Sequence, residues 1–208
     1  MISETMLLMK PLPVFLTMLA VLCPVTAFHE PAPPPHSDLV GNARWMVKYS
    51  NVSIVSTHSS FLKGYPFAQN KDVADGLYNE TICTGIPIIY VSPMATLTHD
   101  FVKDHRVTVT YSAEFTHYCK EQGIDNDSPR CGKVMLSGQM EKMTNPNELA
   151  WAKYGMFNRH PGTKDWPPSH GFSFYKLKIE NIFALDYFGG ATKHLNVSEY
   201  LSYNPLWM

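Results

Sequence analysis

The stretch from residue 159 to residue 190, RHPGTKDWPPSHGFSFYKLKIENIFALDYFGG, decides how this chain folds. Its first half is rich in proline, which lacks a backbone N–H and is excluded from helix interiors. Two apolar, aromatic runs follow, Phe172 to Ile179 and Ile182 to Phe188, and both are typical of β-strands. Because Glu180-Asn181 separates them, the pattern predicts a two-residue hairpin that closes a sheet or barrel, with Gly189-Gly190 ending its second strand.

Length and composition indicate a single globular domain. The chain has 208 residues, 45% of them hydrophobic, and a formal net charge of −1. A chain of this size can bury a sizeable core. The near-zero charge argues against a nucleic-acid partner, which would require a basic face. The sequence also has no run of like charges that predicts a polyanion or a membrane surface as partner.

The N-terminus predicts a signal peptide over residues 1–27. Lys10 precedes an apolar stretch from Leu12 to Ala27, and small residues at Val25 and Ala27 suit a cleavage site after Ala27. A membrane anchor is the alternative, but it needs ~20 apolar residues. We therefore expect a secreted protein with no membrane span after cleavage. Residues 28–36 then form a Pro-rich leader, flexible or extended, and residues 37–208 form the folded domain.

Hydrophobic periodicity predicts further strands. From Val107 to Phe115, apolar and polar residues alternate with the period of 2 that marks a half-buried strand. Residues 70–85 are polar and indicate a loop. Other expected strands are Val52 to Thr57, a short one within Phe61 to Ala68, Ile86 to Val91 and Lys133 to Met140.

Helix signals are fewer. Asn145 is a good cap with Pro146 at the first helical position, and Asn196 is expected to cap a short helix from Val197 to Tyr203. Two more helices are predicted, one capped by Ser37 and one capped by Ser92 or Thr98 that ends near Asp104. Several short strands with a few flanking helices predict an α+β, mainly β domain that contains a barrel.

Separated motifs lie in order along the chain between about Asp38 and Tyr200. They are Tyr65-Pro66-Phe67-Ala68, Tyr90-Val91-Ser92-Pro93, Cys119-Lys120, Ser128-Pro129-Arg130-Cys131, Met135-Leu136-Ser137-Gly138, Arg159-His160-Pro161, Trp166-Pro167-Pro168-Ser169-His170 and Leu185-Asp186-Tyr187-Phe188-Gly189-Gly190. Together these motifs resemble the CREG family of secreted glycoproteins. The resemblance implies the split β-barrel of flavin-mononucleotide (FMN)-binding oxidoreductases and a homodimer. It also implies roles in growth restraint, differentiation and lysosomal function, a secreted or endosomal–lysosomal location, and capture by a mannose-6-phosphate-type receptor through N-glycans.

Three cysteines remain after signal cleavage. Cys119 and Cys131 flank a polar loop, and in an oxidising compartment we expect them to pair, as the resemblance to the family's two cysteines also implies. The alternatives are two free thiols or a metal site with His117, although the spacing is not that of a zinc finger. Cys83 is left over, either as a free thiol or as half of an intermolecular bridge.

Four Asn-x-Ser/Thr sequons are candidate N-glycosylation sites. We rank Asn79 first, because it lies in a polar loop and is followed by threonine at the third position. Asn196 comes next as an exposed residue. Pro129 follows the Asn126 sequon and is expected to lower its glycan occupancy, and Asn51 borders a strand. For both residues the alternative is that the sequon occurs by chance and carries no glycan.

A flavin phosphate would require cations and hydroxyl groups in fixed positions. The candidates in the sequence are Arg106, Thr108 and Thr110 at the start of the alternating strand, and Lys133 in the next one. The alternative is a solvated strand face. The resemblance implies an incomplete phosphate site and a pocket obstructed by a loop, which by position is 120–130. We therefore expect no cofactor and no enzyme activity, with an FMN-dependent oxidoreductase or flavin-binding protein as the alternative.

Overall fold

The computed structural model describes residues 30–79, 82–185 and 192–205. The predicted signal peptide and the glycine pair at 189–190 lie outside the described residues. The helices are α1 (Leu39–Tyr49), α2 (Thr96–Lys103), α3 (Tyr118–Glu121), α4 (Pro146–Arg159) and α5 (Val197–Ser202). The strands are β1 (Val52–His58), β2 (Pro66–Asp72), β3 (Ile88–Val91), β4 (Arg106–Ser112), β5 (Lys133–Lys142), β6 (Ser173–Leu185) and β7 (Lys193–Leu195).

The strands form one antiparallel sheet that curls into half a barrel. Its order is β2-β1-β4-β5-β6-β3, and β7 pairs with the far end of β6. β4 confirms the predicted alternation as far as Ser112, after which Ala113–Thr116 turn into a short 3-10 helix. The α+β, mainly β architecture is therefore as predicted.

The predicted hairpin is wrong, because β6 is a single strand of 13 residues. Its pairing with β5 shifts register at Ser137/Gly138, so that Glu180 is the extra residue of a β-bulge. A Cβ atom on Gly138 would lie 1.9 Å from the Lys178 carbonyl oxygen, so only glycine allows the two strands to approach this closely. The polar pair Glu180-Asn181 thus marks a bulge on the solvent side of a continuous strand.

Two predicted helix caps are confirmed. Asn145 accepts hydrogen bonds from the backbone N–H groups of Asn147 and Glu148, at 2.9 and 3.2 Å. Asn196 accepts one from the N–H of Glu199 at 3.1 Å. Both side chains satisfy donors that the first helical turn leaves unpaired.

The other two predicted caps are wrong. Asp38, not Ser37, caps α1, and its Oδ1 accepts from the Gly41 N–H at 2.7 Å. α2 begins after Ala95, which has no side-chain acceptor. Instead, the Ser92 hydroxyl donates to the His170 carbonyl, and the Thr98 hydroxyl donates to the Ser92 carbonyl.

α1 lies in the curve of the sheet and is buried from Val40 to Tyr49. Trp45 is completely buried, and its indole N–H donates to the Pro31 carbonyl at 2.8 Å, which ties the leader to the helix. A second, smaller cluster packs α4 on the sheet edge. The main core comprises, among others, Ala43, Met46, Val47, Val55, Val109, Leu136, Leu177 and Ile182; the second contains Ile88, Ala152, Met156 and Phe174.

Candidate functional site

A polar groove of about 310 Å³ crosses β1, β4, β5 and β6. Arg106 and Thr108 line it, and the Thr108 hydroxyl lies 2.8 Å from that of Ser137. The other two candidate phosphate ligands are not part of this groove. Thr110 lies further along β4, and the Lys133 ammonium group donates to the Cys131 carbonyl at 3.2 Å. The structure therefore brings together only half of the predicted set.

The one arginine of the predicted set is already engaged by an acid. The Arg106 guanidinium donates to Asp104 Oδ1 at 2.8 Å and to Oδ2 at 2.6 Å, and Nδ1 of His58 lies 3.3 Å from the same carboxylate. These hydrogen bonds hold the pKa of Asp104 well below its usual range. Glu180 places a carboxylate in the lining of the groove itself. Asp104 occupies Nε and Nη2 of Arg106 and offsets its charge, so the groove presents little net positive charge to an anion.

A second groove, of about 380 Å³, has aromatic walls that the sequence analysis did not identify. Tyr90 of β3 is the centre of this aromatic groove. Its ring is parallel to that of Trp166 within 8°, at a centroid distance of 5.9 Å, and lies 5.1 Å from Phe172 and 4.5 Å from Phe174. Trp166 is 37% exposed, so part of its indole ring faces solvent. Flat, partly exposed rings of this kind suit a planar ligand.

The polar side of the aromatic groove is formed by Asn70, Lys71 and Asp72 at the end of β2. Burial lowers the pKa of the Lys71 ammonium group, and the neighbouring carboxylate of Asp72 opposes this shift. Among the described residues lining this groove, Lys71 is the only cation, and Asp72 balances its charge. This side therefore offers hydrogen bonds without a net positive charge.

Cys119 and Cys131 are joined by a disulfide, as expected. Their sulfurs lie close to a carboxylate oxygen of Glu114, but disulfide sulfurs are not thiolates and so cannot serve as the metal ligands considered above. The loop that the disulfide closes, 120–130, lies between β4 and β5 in the chain, at the opposite end of β4 from Arg106. It lines neither groove. The expectation that this loop obstructs a flavin pocket stays a prediction.

Cys83 contacts a buried cation. Nη2 of Arg44 donates to the Cys83 carbonyl at 2.9 Å and to its sulfur at 3.2 Å. Burial raises the pKa of the thiol, an effect that the nearby carboxylate of Asp75 strengthens and Arg44 opposes. The protonated thiol is a weak nucleophile, so the geometry does not indicate a reactive cysteine.

The sequons differ in accessibility. Asn79, Asn126 and Asn196 are exposed. Asn51 is half-buried, and its backbone is bonded on both sides, with its N–H donating to Phe115 and its carbonyl accepting from Val73. The positions of these asparagines are compatible with the predicted ranking, while the occupancy of each sequon stays a prediction. Across the described ranges, no helix has the length and apolar character needed to traverse a bilayer.

Sequence comparison identifies relatives along most of the chain. Residues 34–202 match the family described as "CREG, beta-barrel". Protein CREG1 of Mus musculus is 38% identical over 162 residues, which cover 77% of this chain and 72% of that protein. Protein CREG1 of Homo sapiens is 37% identical with the same coverage. Protein CREG2 of Homo sapiens is 32% identical, and the match covers 74% of this chain and 51% of that protein.

Solved structures share the fold at low sequence identity. A heme binding protein from Mycobacterium smegmatis superposes with a TM-score of 0.63 at 19% identity, over 84% of this chain and 63% of that one. A Clostridium acetobutylicum protein related to general stress protein 26, of the pyridoxinephosphate oxidase family, gives a TM-score of 0.51 at 12% identity, over 80% and 99%. These likenesses confirm the split-barrel fold that the resemblance implied, and at such identities they concern the fold alone.

Proposed function

The chain belongs to the CREG family, and from this premise we propose that it is a non-catalytic glycoprotein of the secretory and endolysosomal pathway. It acts as a homodimer, by binding other proteins, in growth control, differentiation or lysosomal function. Its N-glycans are recognised by a mannose-6-phosphate-type receptor. The family resemblance supports the dimer, the location and the receptor.

The observation that carries the non-catalytic part is the pair formed by Arg106 and Asp104. Flavin phosphates bind where cations and donors are free to face them. Here the guanidinium is held by a carboxylate two residues away, at 2.6 and 2.8 Å. Any phosphate would therefore compete with a charge that is covalently tethered next to the arginine.

Flavin binding is the direct test. The protein is purified from a secretory host, and its absorbance and fluorescence spectra are recorded before and after addition of excess FMN. We expect a colourless protein that leaves the FMN fluorescence unchanged. A stoichiometric yellow protein would overturn the proposal and would turn the search to a reducing substrate.

The alternative, a flavin-dependent oxidoreductase or a binder of a planar cofactor, is favoured by one observation, the aromatic groove around Tyr90. If FMN binds there, Trp166→Ala removes a ring from the groove wall and weakens binding, while Arg106→Ala does not. The reverse result would place the ligand in the polar groove. Tyr154→Ala, on the exposed face of α4, is the matched control for loss of an aromatic side chain.

The glycan part is tested separately. Asn79→Gln and Ser198→Ala each remove one sequon, and the second keeps the Asn196 side chain that caps α5. Each variant, expressed in a secretory host, is expected to migrate faster on a denaturing gel by one glycan, and Asn51→Gln to migrate unchanged. Wild-type protein whose mobility does not respond to glycosidase treatment would contradict this part of the proposal.

A further inference from the structure

The turn between β1 and β2 presents three large apolar side chains to solvent. Phe61 is 63% exposed, Leu62 is 52% exposed and Tyr65 is 70% exposed. Lys63 lies between them and is also exposed. Single exposed apolar residues are common on protein surfaces, but three within five residues form a patch that requires an explanation.

This turn is held in place by hydrogen bonds. The Ser59 hydroxyl accepts from the N–H groups of Phe61 and Leu62, and the Ser59 N–H donates to the Tyr65 carbonyl at 2.9 Å. The N–H of Ser60 donates to Oδ1 of the buried Asp100 on α2 at 2.6 Å. The fold therefore keeps the apolar side chains facing outward instead of letting them collapse onto the sheet.

Helix α2 extends the patch. The His99 ring packs edge-on against Phe61 at 5.8 Å. One turn further along, Val102 is 58% exposed, and Lys103 beside it is exposed. We call this surface the apolar tip, formed by Phe61, Leu62, Tyr65 and Val102 together with the cations Lys63 and Lys103.

The charges around the apolar tip are positive. α2 and the residue that follows it carry two carboxylates, Asp100 and Asp104. Asp100 is 1% exposed, and it accepts hydrogen bonds from the Ser60 N–H and from the Thr57 hydroxyl. Asp104 is engaged by Arg106. The exposed charged side chains of lysine, arginine, aspartate or glutamate that this turn and α2 contribute are thus the two lysines.

This composition matches a lipid surface better than a protein partner. Lysine is depleted in the cores of protein interfaces. In peripheral membrane binding, by contrast, aromatic and aliphatic side chains enter the headgroup boundary while lysines attract anionic lipids. The sequence places three of the four apolar residues within residues 61–65, and the structure adds Val102 of α2.

We propose that the apolar tip docks on anionic membranes, with Phe61, Leu62 and Tyr65 inserted at the level of the headgroups and Lys63 and Lys103 contacting lipid phosphates. This interaction is peripheral and reversible. It is independent of the proposed function, since it requires neither a glycan nor a cofactor.

The test uses the full mature protein and sedimentation with vesicles of phosphatidylcholine, with or without phosphatidylserine. Wild-type protein is expected to sediment with the anionic vesicles and to be released by salt. The triple variant Phe61→Ser/Leu62→Ser/Tyr65→Ser should lose at least about tenfold in partitioning. Lys63→Gln and Lys103→Gln should each lose about fivefold. Ile82→Ser is the matched control, because Ile82 is 65% exposed but lines a groove with Trp151 of α4.

The variants are compared by circular dichroism, so that loss of binding is not confused with unfolding. The proposal is overturned if wild-type protein does not bind anionic vesicles, or if the triple variant binds them as well as wild type does. It is also overturned if the triple variant changes the oligomeric state in gel filtration while vesicle binding stays the same. That result would assign the apolar tip to contact with a second copy of the chain.

Discussion

Asp75 and Asp104 are two carboxylates that each accept three hydrogen bonds, yet their surroundings give them different roles. Asp75 is 2% exposed and accepts from the N–H and hydroxyl of Thr84 and from the N–H of Gly85, at 2.7 to 2.8 Å. The Asp104 side chain is 30% exposed and accepts from Arg106. Water can replace the bonds of Asp104 but not those of Asp75. The buried acid therefore stabilises the fold, whereas the partly exposed acid offsets the charge of the arginine that lines the polar groove.

The residues around Asp75 hold in place the loop formed by residues 82–87, which has no regular secondary structure. Arg44 donates to the Cys83 carbonyl, and Lys48 donates to the carbonyls of Asp75 and Ile82. Gly85 has φ +71°, and a Cβ atom there would lie 2.6 Å from Nε of Arg44. The loop is thus fixed by α1 from one side and by Asp75 from the other, which satisfies its buried backbone groups.

The largest effect is expected for Asp75→Asn. The amide nitrogen cannot accept a hydrogen bond, so at least one buried N–H or hydroxyl group loses its partner, and the buried cations lose a compensating charge. We expect the free energy of unfolding to fall by about 3 kcal/mol in urea denaturation. Asp165→Asn, at an exposed carboxylate, is the control and should change it little. Equal free energies of unfolding for the two variants would show that the buried carboxylate of Asp75 stabilises the fold no more than an exposed carboxylate does.

A smaller effect is expected for Tyr200→Phe. Its hydroxyl is buried and donates to the Gly85 carbonyl at 2.7 Å, so the variant leaves that carbonyl without this donor. Loss of one buried hydrogen bond should lower the free energy of unfolding by about 1 to 2 kcal/mol. Tyr154→Phe, whose ring is 48% exposed, is the matched control. A loss no greater than in the control would show that the loop is held by Asp75 without help from α5.

The parts of the fold that could be predicted depend on local chemistry. The alternation in β4 follows from one buried and one solvated face, and the caps Asn145 and Asn196 bond to backbone groups two or three residues away. The β6 hairpin could not be judged locally. Whether Glu180-Asn181 turns the chain or bulges out of it is decided by the pairing with β5, where Gly138 admits the close approach.

The candidate site follows the same rule. Arg106 and Thr108 share a groove because alternate residues of one strand point to the same face. The partner of Arg106 could have been identified as well, since Asp104 lies two residues before it in the sequence. The aromatic groove could not, because Tyr90 of β3 and Trp166 meet only through the tertiary fold.

The smallest effect on stability, and the most informative for function, is expected for Asp104→Asn. Hydrogen bonds from Arg106 depress the pKa of Asp104 in the folded state. The pair therefore adds stability at pH values above the ordinary pKa of aspartate, and this contribution is lost as the pH falls through the depressed value. Urea midpoints of wild type and variant should differ slightly at neutral pH and converge in acid. A gap that persists in strong acid would mean that packing, not charge, distinguishes them.

The same variant tests what Asp104 does to the polar groove. Without the negative charge of Asp104, Arg106 keeps its position on β4 beside Thr108 and Ser137, and its guanidinium is no longer paired with an acid. We expect Asp104→Asn to quench FMN fluorescence weakly in a titration where wild type does not, and Asp104→Asn/Arg106→Ala to lose this gain. If the single variant binds no better than wild type, the missing anion site is due to the shape of the groove. Asp104 would then have no effect on anion binding, and Asp75 and Asp104 would differ only in how much each stabilises the fold.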